Sequence, residues 1–314
     1  MKTEMSQNAP TEESDRRWKQ ENLVWTRIYF GREVMERIIE TIDRKHALHR
    51  RHTNRYIMRA AMAGVIVVLM YLFAYQVNTD LGESFNRGLA KYLTAVSFSM
   101  ALVLIYFTNS ELLTSNFMYF TIGQYYGKIR LRDTAAILGQ CLLGNLLGIL
   151  IIALLVWSAA MVGPSVIENL VHTVNAKTVE SGMWLIFVKA IFANYFINIA
   201  VIISLQVHEY MAKILALLMG VTVFAYMGYE HVIANAALFV VALFFDPAAV
   251  SLLHIGKNFV LSLLGNFVGG GLVVGLFYAY LNDSRGEPEA VVRGIRAGAF
   301  APQEVPSRSI LDED

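Results

Sequence analysis

Three ionisable side chains stand in long apolar stretches that otherwise carry almost no charge. Glu111 is the one charge in residues 92–126, and the Glu230-His231 pair marks residues 214–245. An imidazole titrates near neutral pH, so His231 can offer a hydrogen bond or a proton to a group passing through the spans. A fixed carboxylate is costly in hydrocarbon and repels anions, so Glu111 and Glu230 read as acceptors for backbone N–H groups in their own segments. Asn145, Asn194 and Asn266 either bridge helices or face a path; bridging is favoured for Asn145. The plainer alternative for His231 is a core histidine satisfied by a neighbouring carbonyl. Two further sets suggest metal chemistry: His46, His49 and His52 at three-residue spacing, which would also suit pH sensing, and the pairs His208-Glu209 and Glu230-His231. The first reads more simply as a solvated basic segment. The pairs lack a third ligand and a nucleophile, so a membrane enzyme or metal site is the weaker reading, and no metal or cofactor is expected.

The elements that must position these groups follow from composition. Of 314 residues, 56% are hydrophobic and 16% charged, against about 25% charged in a soluble domain; the mean hydropathy is +0.47. A single cysteine, Cys141, excludes a disulfide within the chain. The net charge of +1 gives no nucleic-acid surface, because the basic residues flank apolar spans. A bilayer core of ~30 Å takes about 20 residues of helix, which fits residues 56–77, 134–162, 183–207 and 258–281. Residues 92–126 and 214–245 are too long for one straight crossing and too short for two. Each is therefore expected to be a broken helix, interrupted at Thr108-Asn109-Ser110-Glu111 and at Gly228-Tyr229-Glu230-His231. Six crossings result, with a cytoplasmic segment 1–55, a channel domain 56–283 and a disordered cytoplasmic tail 284–314.

Charge supports this count. With both termini cytoplasmic, the inside segments hold twenty-one Lys and Arg, thirteen of them in residues 1–59, and the outside segments hold four. That is the asymmetry expected of cytoplasmic loops.

The chain also repeats itself. Gly144-Asn145-Leu146-Leu147-Gly148 returns as Gly265-Asn266-Phe267-Val268-Gly269, Glu111 is matched by Glu230, and Ala63-Gly64 pairs with Ala193-Asn194. A unit of three crossings reverses orientation in its second copy, which predicts an inverted 3+3 repeat in an all-α polytopic membrane protein.

Four segments resemble the formate/nitrite transporter family. They are Ser110-Glu111-Leu112-Leu113-Thr114-Ser115, Ala190-Ile191-Phe192-Ala193-Asn194-Tyr195-Phe196 with Ile199-Ala200, Gly228 to Asn235, and Gly265-Asn266-Phe267-Val268-Gly269-Gly270-Gly271. The sequence departs from the usual family pattern with Glu111 in place of Asp, Asn109 in place of Gly and Leu113 in place of Phe or Ile. The resemblance implies a homopentamer of aquaporin-like protomers in the inner (plasma) membrane, each with its own pore for small monovalent anions such as formate, nitrite, hydrosulfide or lactate. It also implies constrictions at Phe98, Leu102 and Phe224, a path lined by Thr114, Asn194 and Asn266, His231 as the central polar residue, and Lys177 at the outer vestibule. A neutral-solute or water channel of the same shape is the alternative.

Before the first span, residues 23–48 place Ile28, Met35, Ile38, Ile39 and Ile42 at helical spacing among arginines. This predicts a basic amphipathic helix resting on anionic lipid or covering the pore mouth. Lys189, inside a span, is expected to snorkel or to pair with Glu180.

Overall fold

The computed structural model describes residues 32–82 and 86–283. Among them the chain is helical throughout: α1 (Arg32–Arg51), α2 (Thr53–Gly82), α3 (Arg87–Phe107), α4 (Leu113–Tyr125), α5 (Leu131–Ser158), α6 (Pro164–Thr178), α7 (Met183–Gln206), α8 (Tyr210–Tyr226), α9 (Val232–Phe245) and α10 (Leu252–Leu281). A stretch of α10, Phe267–Leu276, is π-helical. Helices α2, α3, α5, α7 and α10 are each long and apolar enough to cross a membrane, while α8 and α9 are shorter apolar helices. The chain is a multi-pass membrane protein.

Both expected interruptions are present, between α3 and α4 and between α8 and α9. Each follows a helix end of one kind. After α3, Asn109 takes a left-handed backbone with φ 52°, and after α8, Gly228 does so with φ 65°. Ser110 N–H reaches back to Ile105 O at 3.0 Å, as Tyr229 N–H does to Phe224 O at 3.0 Å. This is the paired closure of a Schellman end, which needs a residue tolerant of positive φ. Asparagine is the next choice after glycine there, which explains how Asn109 fills its position.

Of the two placements expected for the helix ahead of the first span, on lipid or over the pore mouth, the first does not hold. In α1, Val34, Met35, Ile38 and Ile42 are buried against the protein rather than turned to lipid. A Cβ at Gly123 would come within 3.2 Å of Ile42 Cδ1, so α1 packs closely on α4. Polar contacts fix it further: Arg37 Nη1 donates to Leu205 O at 2.6 Å, His49 Nδ1 lies 2.8 Å from Gln140 Oε1, and His46 Nε2 lies 3.7 Å from Asp133 Oδ2. His46 and His49 thus engage separate partners, and no set of three His, Cys, Asp or Glu side chains among the described residues is arranged to hold a metal. Residues 23–31, the start of the expected helix, and the tail 284–314 lie outside the described residues.

The glycines of the last span allow close approach. A Cβ at Gly269 would lie 2.1 Å from Ile191 O, so α10 meets α7 with backbone against backbone.

Candidate functional site

A helix that stops and restarts inside a membrane leaves backbone N–H and C=O groups without partners, and each must be satisfied within the protein. Two buried asparagines meet that need in the same way. Asn145 Oδ1 accepts from Leu113 N–H at 3.1 Å, while its Nδ2 donates to Ala60 O and Glu111 O, both at 2.8 Å. Asn266 Oδ1 accepts from Val232 N–H at 2.8 Å, and its Nδ2 donates to Ala190 O at 2.7 Å and Glu230 O at 2.9 Å. Each amide therefore joins the first N–H of a restarting helix, the carbonyl just before it and a neighbouring span.

The two carboxylates are also matched, but their partners are side chains rather than the backbone N–H groups expected. Glu111 is ion-paired with Lys45 of α1, and its Oε2 accepts from Asn116 Nδ2 at 3.1 Å. Glu230 has Lys177 of α6 at 3.0 Å, and its Oε2 accepts from Asn235 Nδ2 at 2.6 Å. All four charged groups are largely buried, with side-chain exposures of 14% and 5% in the first pair and 13% and 1% in the second. Pairing offsets the cost of such charges. Lys177 also donates to Tyr229 O at 3.3 Å, so it sits against the second break.

His231 lies at the N-terminal end of α9. Its Nδ1 accepts from Ala234 N–H at 3.0 Å, which places the proton of a neutral ring on Nε2. Nε2 is 2.8 Å from Thr114 Oγ1, on the first turn of α4, so the two restarting helices meet here. With Nε2–H given to Oγ1, the Thr114 hydroxyl proton remains to point elsewhere. The ring stacks on Phe224 at 5.8 Å and 22°, and Phe224 meets Phe98 edge to face at 6.2 Å and 90°.

A small cavity borders His231, and a larger vestibule lies beyond it. A cavity of about 20 Å³ is lined by Phe98, Leu102, Ile105, Leu112, Phe224 and His231 among others. This is room for about one water, so a hydrated ion does not fit. On the α1 side a vestibule of about 560 Å³ is lined by Arg44, Lys45, Arg59, Glu111 and apolar neighbours. Leu102, Ile105 and Leu112 line both spaces and form the wall between them.

The structure thus gathers Phe98, Leu102, Phe224, Thr114 and His231, which come from α3, α8, α4 and the second break. Asn266 stands behind that break with its amide committed to backbone. Asn194, fully buried, donates to Thr114 O at 3.0 Å and to Asn266 O at 2.7 Å. Lys189 is half-buried and forms no ion pair with Glu180 among the described residues. Sequence reasoning missed Lys45, Arg44, Arg59, Asn116 and Asn235. Asn116 and Asn235 did leave a signal, since each stands five residues after its glutamate.

The chain is similar to known proteins in sequence and fold. Residues 32–280 match the family model described as formate/nitrite transporter. The chain is 33% identical to the nitrite transporter NirC of Escherichia coli (strain K12) over 234 residues, covering 74% of this chain and 85% of the relative. It is 26% identical to the formate channel FocA of the same strain, covering 74% and 89%. Among solved structures, an FNT family ion channel superposes with a TM-score of 0.71 at 28% identity, covering 79% of this chain and 98% of the other. A pentameric formate channel with formate bound gives a TM-score of 0.64 at 22% identity, covering 73% and 96%.

Proposed function

The chain belongs to the formate/nitrite transporter family, and on that premise we propose that it is a passive or proton-coupled pathway for small monovalent anions, formate first among them, with His231 as the central hydrogen-bond donor. The observation that carries this reading is the contact between His231 Nε2 and Thr114 Oγ1 beside an apolar cavity with room for one water. A small anion cannot shed its hydration in such a space without compensation. His231 supplies it through Thr114: the imidazole holds the hydroxyl oxygen, and the hydroxyl proton turns to the anion. An anion that takes a proton from the aqueous phase on its entry side crosses the apolar rings as the neutral acid and returns the proton to the aqueous phase beyond. Phe98, Leu102 and Phe224 then exclude hydrated ions and let the acid pass.

The remaining polar residues have supporting roles in this reading. Arg44 and Arg59 at the vestibule draw anions towards the wall of Leu102, Ile105 and Leu112. Their charge favours an anion over a neutral solute. Glu111, Glu230, Asn145 and Asn266 brace the two breaks, Lys177 neutralises Glu230, and Asn194 stands behind the path rather than lining it. The matched contacts around Asn145 and Asn266 support an inverted repeat of three crossings each, six in all. Both termini are then cytoplasmic, and the protomer assembles as a homopentamer, by analogy with the structural relative that is itself a pentameric formate channel.

The test is uptake of formate, nitrite, hydrosulfide, lactate and acetate into proteoliposomes, side by side at several pH values, with wild-type and His231→Phe protein. Loss of anion uptake in a variant that still assembles is the expected result. Unchanged uptake would remove His231 from the path, and uptake of neutral solutes alone would replace the anion reading.

A further inference from the structure

The two halves of the chain brace their breaks alike, yet one half carries polar groups that the other lacks. Thr114 O accepts from two amides of α7, Asn194 Nδ2 at 3.0 Å and Asn198 Nδ2 at 3.3 Å, and Asn198 Nδ2 also reaches Asn194 O at 2.8 Å. Both asparagines are fully buried. With Ala63-Gly64 matched to Ala193-Asn194, the corresponding residues of α2 are Gly64 and Val68, neither of which carries an amide.

Space is exchanged along with polarity. In the first half Gly64 packs against α5, where a Cβ would lie 2.9 Å from Ile149 N. In the second half the large side chain is Asn194 and the glycine is across from it. A Cβ at Gly270 would lie 2.1 Å from Asn194 Nδ2 and 2.5 Å from Asn198 Nδ2. With Asn145 matched to Asn266, Gly270 holds the place of Ile149. Gly270 also lies in the π-helical stretch of α10, whereas α5 is regular from Leu131 to Ser158. Local π-helical turns are frequently found at functional sites. Here the turn and the missing side chain together admit two amides where the other half packs isoleucine.

We infer that Asn198 is a positioning residue for the Thr114–His231 pair. It acts on the Thr114 carbonyl and so fixes the first turn of α4, which keeps the Thr114 hydroxyl 2.8 Å from His231 Nε2. Asn198 does not touch the passing anion. The inference rests on the reading that Thr114 and His231 serve the path.

A double-mutant cycle in proteoliposomes tests it, with formate uptake as the readout. Asn198→Ser is the informative variant, because a serine hydroxyl can still bond the carbonyl four residues back at Asn194 but cannot reach Thr114 O. Uptake should fall about fivefold, roughly what one buried hydrogen bond is worth. In a Thr114→Val background the same substitution should change uptake no further. Unchanged uptake in Asn198→Ser, or an independent loss on top of Thr114→Val, overturns the inference while leaving the path reading intact. Unchanged uptake in both Thr114→Val and His231→Phe overturns the path reading, and the inference falls with it. Asn198→Val, which installs the residue found at position 68, is assayed alongside. If neither Asn198 variant assembles, Asn198 belongs to folding and the positioning role is wrong.

Discussion

His231 Nε2 and Thr114 Oγ1 meet at 2.8 Å although 117 residues separate them in the chain. Each stands at the start of a helix that resumes inside the membrane, so the contact joins the two breaks directly. The Thr114 hydroxyl is the part of this pair that can still donate. Thr114→Val, which keeps the shape and removes the hydroxyl, should lower formate uptake by about tenfold or more, while Thr114→Ser should stay within about twofold of wild type. Initial rates in proteoliposomes at matched protein density decide between them.

The buried ion pairs make a second prediction. Removing one partner of a buried pair leaves an uncompensated charge and costs about 3–5 kcal/mol, whereas removing both costs far less. Glu230→Gln should therefore sharply lower the unfolding temperature of the detergent-solubilised protein, and Glu230→Gln with Lys177→Met should recover most of the loss. Lys45 and Glu111 should behave alike. A single substitution without thermal effect would mean that the pair carries no structural weight.

Asn145 and Asn266 each make three hydrogen bonds to backbone. At about 1 kcal/mol for each bond, Asn145→Leu and Asn266→Leu should each destabilise the protein by ~3 kcal/mol, and by similar amounts because their partners correspond. Thermal melts of the two variants test this equivalence. A large effect in one and none in the other would contradict it.

The edge-to-face pair of Phe98 and Phe224 bounds the small cavity. Phe98→Ala should widen it, raising lactate uptake relative to formate. An unchanged lactate-to-formate ratio would show that Phe98 does not set the size limit.

Much of the fold could be read directly in the sequence. The spans stand out because hydrocarbon demands about 20 apolar residues for each crossing, and the breaks stand out because Glu111 and Glu230-His231 interrupt that pattern. The repeated Gly-Asn motifs likewise marked Asn145 and Asn266, whose hydrogen-bond partners correspond. The long-range partners of the polar groups were hidden, because a hydrogen bond between distant segments leaves no periodic trace. Lys45 looked like one more cation in a basic segment, and only docking of α1 brings it to Glu111. The choice between lipid and the pore mouth for α1 stayed open for the same reason: an amphipathic stripe can face lipid or protein, and its periodicity is identical in both.

What the sequence determined by itself is that the chain crosses a membrane and where its helices break, since apolar length and interruption are local properties. Tertiary structure alone decided that the breaks meet, that Asn145 and Asn266 close them from behind, and that Thr114 faces His231. These are long-range packing relationships, set by which helix surfaces can approach and which buried polar groups must find partners.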